Sequence, residues 1–140
     1  MQGLFFEDLT EGQSAETLKI VGAADVEAFA AVSGDINPVH LDEAYARTTP
    51  FQGRIAHGML SAAYISAVIG TKLPGPGAIY LSQSLRFRRP VKLGDPVVTR
   101  VTIQSLDERR GHATLATICQ VDGKTVVEGE AVIMVPRKPA

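Results

Sequence analysis

The sequence has almost no cysteine, no charge imbalance and no apolar run long enough for a bilayer. Cys119 is the single cysteine among 140 residues. No internal disulfide can form, and a lone thiol fits a reducing cytosol rather than a disulfide-stapled secreted domain. The 14 Lys+Arg and 15 Asp+Glu leave a net charge of −1, which removes the basic footprint expected of a protein that binds nucleic acid. The longest mostly apolar stretch, residues 59–69, is about half of the roughly 20 residues a membrane-spanning helix needs. The start of the chain carries the acidic pair Glu7-Asp8 and no basic segment, unlike a secretory signal. No internal repeat, low-complexity tract or linker interrupts the chain. These absences predict one domain over residues 1–140, cytoplasmic, with no nucleic-acid and no membrane partner.

What is present divides into a helical first half and a strand-rich second half. Residues 24–32 place Val26, Phe29 and Ala30 on one face at helical spacing. Gly34 stands where a left-handed C-cap belongs, and Pro38 is expected to stop any continuation. Asp42 reads as the N-cap of a short helix through Ala46. A longer helix follows Gly58 and is apolar nearly all round, which predicts burial by other structure. Further on, the pattern alternates with period two. Leu81, Gln83, Leu85 and Phe87 share one face, as do Val97, Thr99, Val101 and Ile103, and Thr125 through Val135 alternate likewise. Asp122-Gly123 predicts a type I′ hairpin, and Ser14–Ile20 is a candidate N-terminal strand. The fold class expected is α+β, an antiparallel sheet of about five strands curled around one long helix. A single sheet covers only part of such a helix, so at least a dimer is expected.

The segment most able to carry chemistry is Ser33-Gly34-Asp35-Ile36-Asn37-Pro38-Val39-His40. It puts a carboxylate and an imidazole five residues apart on a turn stiffened by Asn-Pro. Such a pair sharing a water is a general acid/base unit. Read from the residues alone, Asp35 as a cap and His40 as a satisfied polar group is an equally good account.

This run, with Ala46 six positions after the His, resembles the hydratase signature of the MaoC-like (R)-specific enoyl-CoA hydratases. Residues 51–59, 83–91 and Gly94-Asp95 are also similar to that family's pattern, and the likeness extends over most of the chain, above all to the short hydratases that feed polyhydroxyalkanoate synthesis. The resemblance implies a hot-dog fold, a homodimer, and reversible syn addition of water to a trans-2-enoyl-CoA to give an (R)-3-hydroxyacyl-CoA. It implies that Asp35 and His40 hold the water. One division has Asp35 activating it and His40 protonating C2, and the residues leave that division open. No metal or organic cofactor is expected, since CoA is part of the substrate.

Protonation at C2 passes charge to the thioester oxygen. The unpaired N–H groups at the start of the long helix suit that oxygen, with Gly58 the expected donor. A glycine needed only for packing is the plainer account. By position in the family pattern Ser66, Ile69 and Ile133 are acyl-pocket walls and Asn37 lies at the substrate site, though ordinary core or turn roles fit as well. Ser66, expected to be buried, has Asp35 or its own helix carbonyl as partner. Arg86, Arg88 and Arg89 with Lys92 form the densest basic cluster, a chemically reasonable rim for CoA phosphates, although solvated strand arginines are commoner. His57 reads as a residue that merely opens the helix.

Other functions compete. His40-Leu41-Asp42 with His112 has the composition of a two-His-one-carboxylate iron site, but here the pair follows Asn-Pro and opens a helix rather than lying on a barrel strand. A hot-dog thioesterase keeps the fold and changes the reaction. A non-catalytic acyl-thioester binding module would keep only the pocket.

Overall fold

A computed structural model describes residues 1–140. A 3-10 turn at Phe6–Asp8 precedes strand β1 (Ser14–Ile20) and helix α1 (Ala23–Ser33). Two single turns follow, α2 (Pro38–Leu41) and α3 (Glu43–Ala46), then the long helix α4 (Gly58–Thr71). The remainder is strand: β2 (Ile79–Gln83), β3 (Arg86–Phe87), β4 (Pro96–Asp107), β5 (His112–Val121) and β6 (Lys124–Met134).

All the pairings are antiparallel, in the order β1-β4-β5-β6-β2, with the short β3 also on β6. The sheet therefore has six strands where about five were expected. The extra one arises because the alternating run from Leu81 to Phe87, expected as one strand, breaks at Ser84-Leu85 into β2 and β3. Asp122 and Gly123 both take positive φ, 50° and 77°, the geometry of the expected type I′ turn between β5 and β6. Besides a register shift at Leu81 in β2, two bulges interrupt the long strands. Gln104 is the extra residue between Ile103 and Ser105, and Val126 the one opposite Cys119/Gln120. The second bulge is why Val126 and Val127 are both buried despite adjacent positions.

α4 lies against β4 and, less extensively, β1, β5 and β6. Leu60, Ser61, Tyr64, Ile65, Val68 and Ile69 face the sheet, the spacing of one helical face. All of these but Ser61 join Val97, Val101, Ile103, Leu115, Ala131 and Ile133 in a single cluster of 23 buried residues. This is the hot-dog arrangement: the sheet wraps a central helix. Each fully buried Ile or Val contributes about 1.5–3 kcal/mol relative to exposure.

Within one chain the sheet covers only part of α4, as its apolar circumference and the size of a single sheet predict. Met59, Ala63, Ser66, Ala67 and Gly70 are exposed, because one chain supplies a sheet for only one side of the helix. Leu81 and Phe87 are likewise half exposed, since β2 and β3 lie at the sheet edge. Pro38 starts α2 rather than ending a helix. Its missing N–H falls at the first helical position, where no intrahelical acceptor exists.

Candidate active site

The 35–40 run is held at both ends by its own side chains. α1 ends at Gly34 in the left-handed region, φ 79°. Ser33 Oγ donates to the Phe29 carbonyl at 2.6 Å and accepts from the Asp35 N–H at 3.1 Å. Asp35 Oδ1 accepts from the Asn37 N–H, and Asn37 Oδ1 from the Val39 N–H. Asn37 thus caps α2. It is exposed and does not line the pocket described below, so its contribution is to the turn.

A second segment, residues 54–57, zips onto this run. Ile55 N–H donates to the Val39 carbonyl at 3.3 Å and Arg54 Nε to the His40 carbonyl at 2.7 Å. His40 Nδ1 lies 2.8 Å from the Ile55 carbonyl and His57 Nε2 lies 2.9 Å from the Asp35 carbonyl. A carbonyl only accepts, so Nδ1 of His40 and Nε2 of His57 carry the hydrogens. In the neutral rings His40 Nε2 and His57 Nδ1 are the bare nitrogens. The two rings stack with centroids 3.8 Å apart and planes 27° from parallel. One carboxylate oxygen of Asp35 and one ring nitrogen each of His40 and His57 lie within 4.8 Å of one another.

These three side chains line a pocket of about 480 Å³. Phe51, Ile55, Ala56, Met59, Phe87, Pro90, Val91 and Val127 give it apolar walls, and Arg88 and Arg89 stand at it too. Gly58, the first residue of α4, lines it beside His57. A Cβ there would lie 2.5 Å from the Phe87 ring, so the glycine is required for close packing as well as leaving a first-turn N–H at the pocket. Ser61, one turn along α4, is buried behind it, with its carbonyl 3.6 Å from Cys119 Sγ. Burial pushes the Cys119 thiol pKa up, against a lowering hydrogen bond from Thr99, and leaves it inert.

The structure therefore brings Asp35, His40, Gly58, Arg88 and Arg89 together, and separates other candidates from them. Ile69 and Ile133 are 2% and 0% exposed and do not reach the pocket surface. They lie in the same buried cluster as Ala56, Val91 and Val127 of its wall. Ser66 is exposed on the outer face of α4 rather than buried, because it lies about 100° round the helix from Ile65. Arg86 borders a different depression with Ser84, Thr117 and Glu130, on the face of β3 opposite to Phe87, which lines the pocket. Arg88 is paired with Glu128, its Nη2 2.8 Å from the carboxylate.

His57 was missed from sequence. The signal available was a histidine directly before the glycine that opens the helix, which local pattern alone does not distinguish from a simple helix start. Arg54 was missed too. Its side chain is only 13% exposed, 3.9 Å from Glu27, with Nη2 buried and without a hydrogen-bond partner.

The family described as MaoC like domain matches residues 8–129. The chain is 54% identical over 134 residues to an (R)-specific enoyl-CoA hydratase of Rhodospirillum rubrum, covering 96% of this chain and 93% of that protein. It is 49% identical over 135 residues to a 3-hydroxybutyryl-CoA dehydratase of Methylorubrum extorquens, covering 96% and 86%. Among solved structures, an R-hydratase from Pseudomonas aeruginosa in unliganded form superposes with a TM-score of 0.93 at 51% identity, over 97% of this chain and 88% of that one.

Proposed function

The chain belongs to the MaoC-like domain family, and from that premise we propose its function: it is an enoyl-CoA hydratase working reversibly as a 3-hydroxyacyl-thioester dehydratase, with trans-2-enoyl-CoA and (R)-3-hydroxyacyl-CoA as its pair of substrates. The observation that carries the reading is the approach of the Asp35 carboxylate and the His40 ring within one pocket whose wall includes the start of α4.

The residues supply each part of the reaction. A water between Asp35 and His40 turns one hydrogen to the carboxylate and the other to Nε2, the nitrogen left free by the bond from Nδ1–H to Ile55. Its oxygen bonds to C3 as one O–H breaks, while the pair delivers a proton to C2 from the same face, which makes the addition syn. Electron density displaced from the double bond rests on the thioester oxygen, where the Gly58 N–H and the α4 dipole stabilise it. The charge returns as the C2–H bond forms, so no electrons enter or leave and the reaction needs no cofactor. A metal at Asp35, His40 and His57 is disfavoured by the stacking, which directs the in-plane lone pairs of two nearly parallel rings alongside each other rather than at a common point.

Arg89 forms no ion pair within the chain and is the cation proposed for the CoA phosphates, while Arg88 is held by Glu128. Acyl length is proposed to depend on the volumes of Ile69 and Ile133, which belong to the same buried cluster as Ala56, Val91 and Val127 of the pocket wall. We place the protein in the cytoplasm and as a homodimer. No helix is long and apolar enough to cross a membrane.

The test is hydration of crotonyl-CoA, followed by loss of enoyl absorbance, with the C3 configuration of the product determined. Turnover to the (R)-alcohol is expected, and Asp35→Asn should reduce kcat by about 10²–10⁴-fold with the unfolding midpoint preserved. Release of free thiol without hydration would move the protein to the thioesterases, and an unimpaired Asp35→Asn would remove the proposed dyad.

A further inference from the structure

We infer that His57, the residue before Gly58, is a positioning residue that fixes both members of the Asp35/His40 pair, one through a hydrogen bond and the other through its ring face. The inference rests on the hydratase reading for its consequence, but its geometry stands apart from it. His57 Nε2–H donates to the Asp35 carbonyl at 2.9 Å, tying the backbone that carries the carboxylate. The His57 ring lies against the His40 ring at 3.8 Å and packs against Phe29 at 4.9 Å on its other close aromatic contact. His40 can therefore neither tilt away nor swing without disturbing His57, and its Nδ1–H remains on the Ile55 carbonyl.

A further observation argues that the histidine is there for this task. His57 is 2% exposed, and its Nδ1 is buried with no hydrogen-bond partner. An unpaired buried acceptor is costly, so a leucine or phenylalanine filling the same space would serve packing better. What those side chains lack is a donor aimed at the Asp35 carbonyl. A hydrogen on Nδ1 would have no acceptor and would create a cation against the His40 face, so the ring keeps its hydrogen on Nε2, where it holds Asp35. His57 does not touch the reacting atoms. It acts through the two groups that do, as supporting residues at preorganised sites do.

The experiment uses the intact enzyme and three variants. His57→Ala removes both contacts, His57→Phe keeps a ring against His40 and deletes the donor, and His57→Gln keeps an N–H near the Nε2 position and deletes the ring. With crotonyl-CoA, His57→Ala is expected to lower kcat by about 10²-fold, the scale of a small misplacement of catalytic groups, with KM nearly unchanged. His57→Phe and His57→Gln should each recover part of the loss. Equal kcat in His57→Ala and wild type would overturn the proposal, as would a loss borne by KM alone or no recovery in either partial variant. Nitrogen-15 NMR of the imidazoles supplies a readout independent of turnover. Wild-type protein should show the Nε2–H tautomer at His57 and the Nδ1–H tautomer at His40, and the opposite tautomer at His57 would sink the inference. A wild type with these tautomers that does not hydrate crotonyl-CoA would refute the hydratase reading and support the geometry proposed for His57.

Discussion

Gly58 is crowded on the side where a side chain would project. An added Cβ would sit 2.5 Å from the half-exposed Phe87 ring, closer than any real Cβ contact, so the ring or the first turn of α4 must move. Gly58→Ala should therefore lower crotonyl-CoA turnover by about tenfold or more, within the range of losing an oriented N–H donor. Adding Phe87→Ala creates room. In a double-mutant cycle the cost of Gly58→Ala should shrink markedly in the Phe87→Ala background. An identical cost in both backgrounds would show that the ring is not what holds the first turn in place. At this scale the sequence was informative where chemistry is local. Asp35, Asn37 and His40 lie within six residues, and their types and spacing announce an acid, a turn and an imidazole. His57 gave no such sign, because its partners are 22 residues away at Asp35 and stacked across space at His40.

α2 is a single turn, too short to persist without its cap and its ties to the 54–57 segment. Asn37 Oδ1 accepts the Val39 N–H at 3.2 Å, and Pro38 presets the first helical φ. Asn37→Ala should cost about 1 kcal/mol, the usual worth of an N-cap, read as a lowered denaturation midpoint, and should cut kcat several-fold because His40 rides on the same turn. Unchanged stability and turnover would mean that the zip to residues 54–57 alone holds the loop. Elements were legible where backbone preference is strong. Gly34 and Asp122-Gly123 take the positive φ that their residue types favour, and Asp42 caps α3 through the Tyr45 N–H. α4 was legible as a helix but not in its orientation. A helix apolar nearly all round carries no phase, so nothing in residues 59–69 distinguished the buried Ile65 and Ile69 from the exposed Ser66 and Ala67.

The whole molecule leaves the outer face of α4 and the β2 edge uncovered. Met59, Ala63, Ala67 and Gly70 form a strip of mostly small side chains on the helix, and Ile79, Leu81 and Phe87 are exposed at the edge strands. A second copy of the chain packed there is the proposed occupant. Sedimentation should give about twice the 14.9 kDa chain mass, with an interface above the roughly 1,000 Å² a specific contact needs. Ala67→Arg, which sets a long charged side chain on the strip, should shift the protein to monomer at micromolar concentration and reduce turnover. A wild type that sediments as a monomer, or an Ala67→Arg variant that stays dimeric, would rule out this face as the interface.

Sequence alone determined the α+β class, the central helix, the type I′ hairpin and the Asp35/His40 run, because each follows from preferences that act within a few residues along the chain. Only the tertiary structure decided which side of α4 is core, that Ile69 and Ile133 are buried in the core rather than at the pocket surface, that β2 and β3 separate, and that His57 stacks on His40. Those outcomes depend on packing between segments far apart in sequence, where side-chain volume and the curl of the sheet select among arrangements that local preference leaves equivalent.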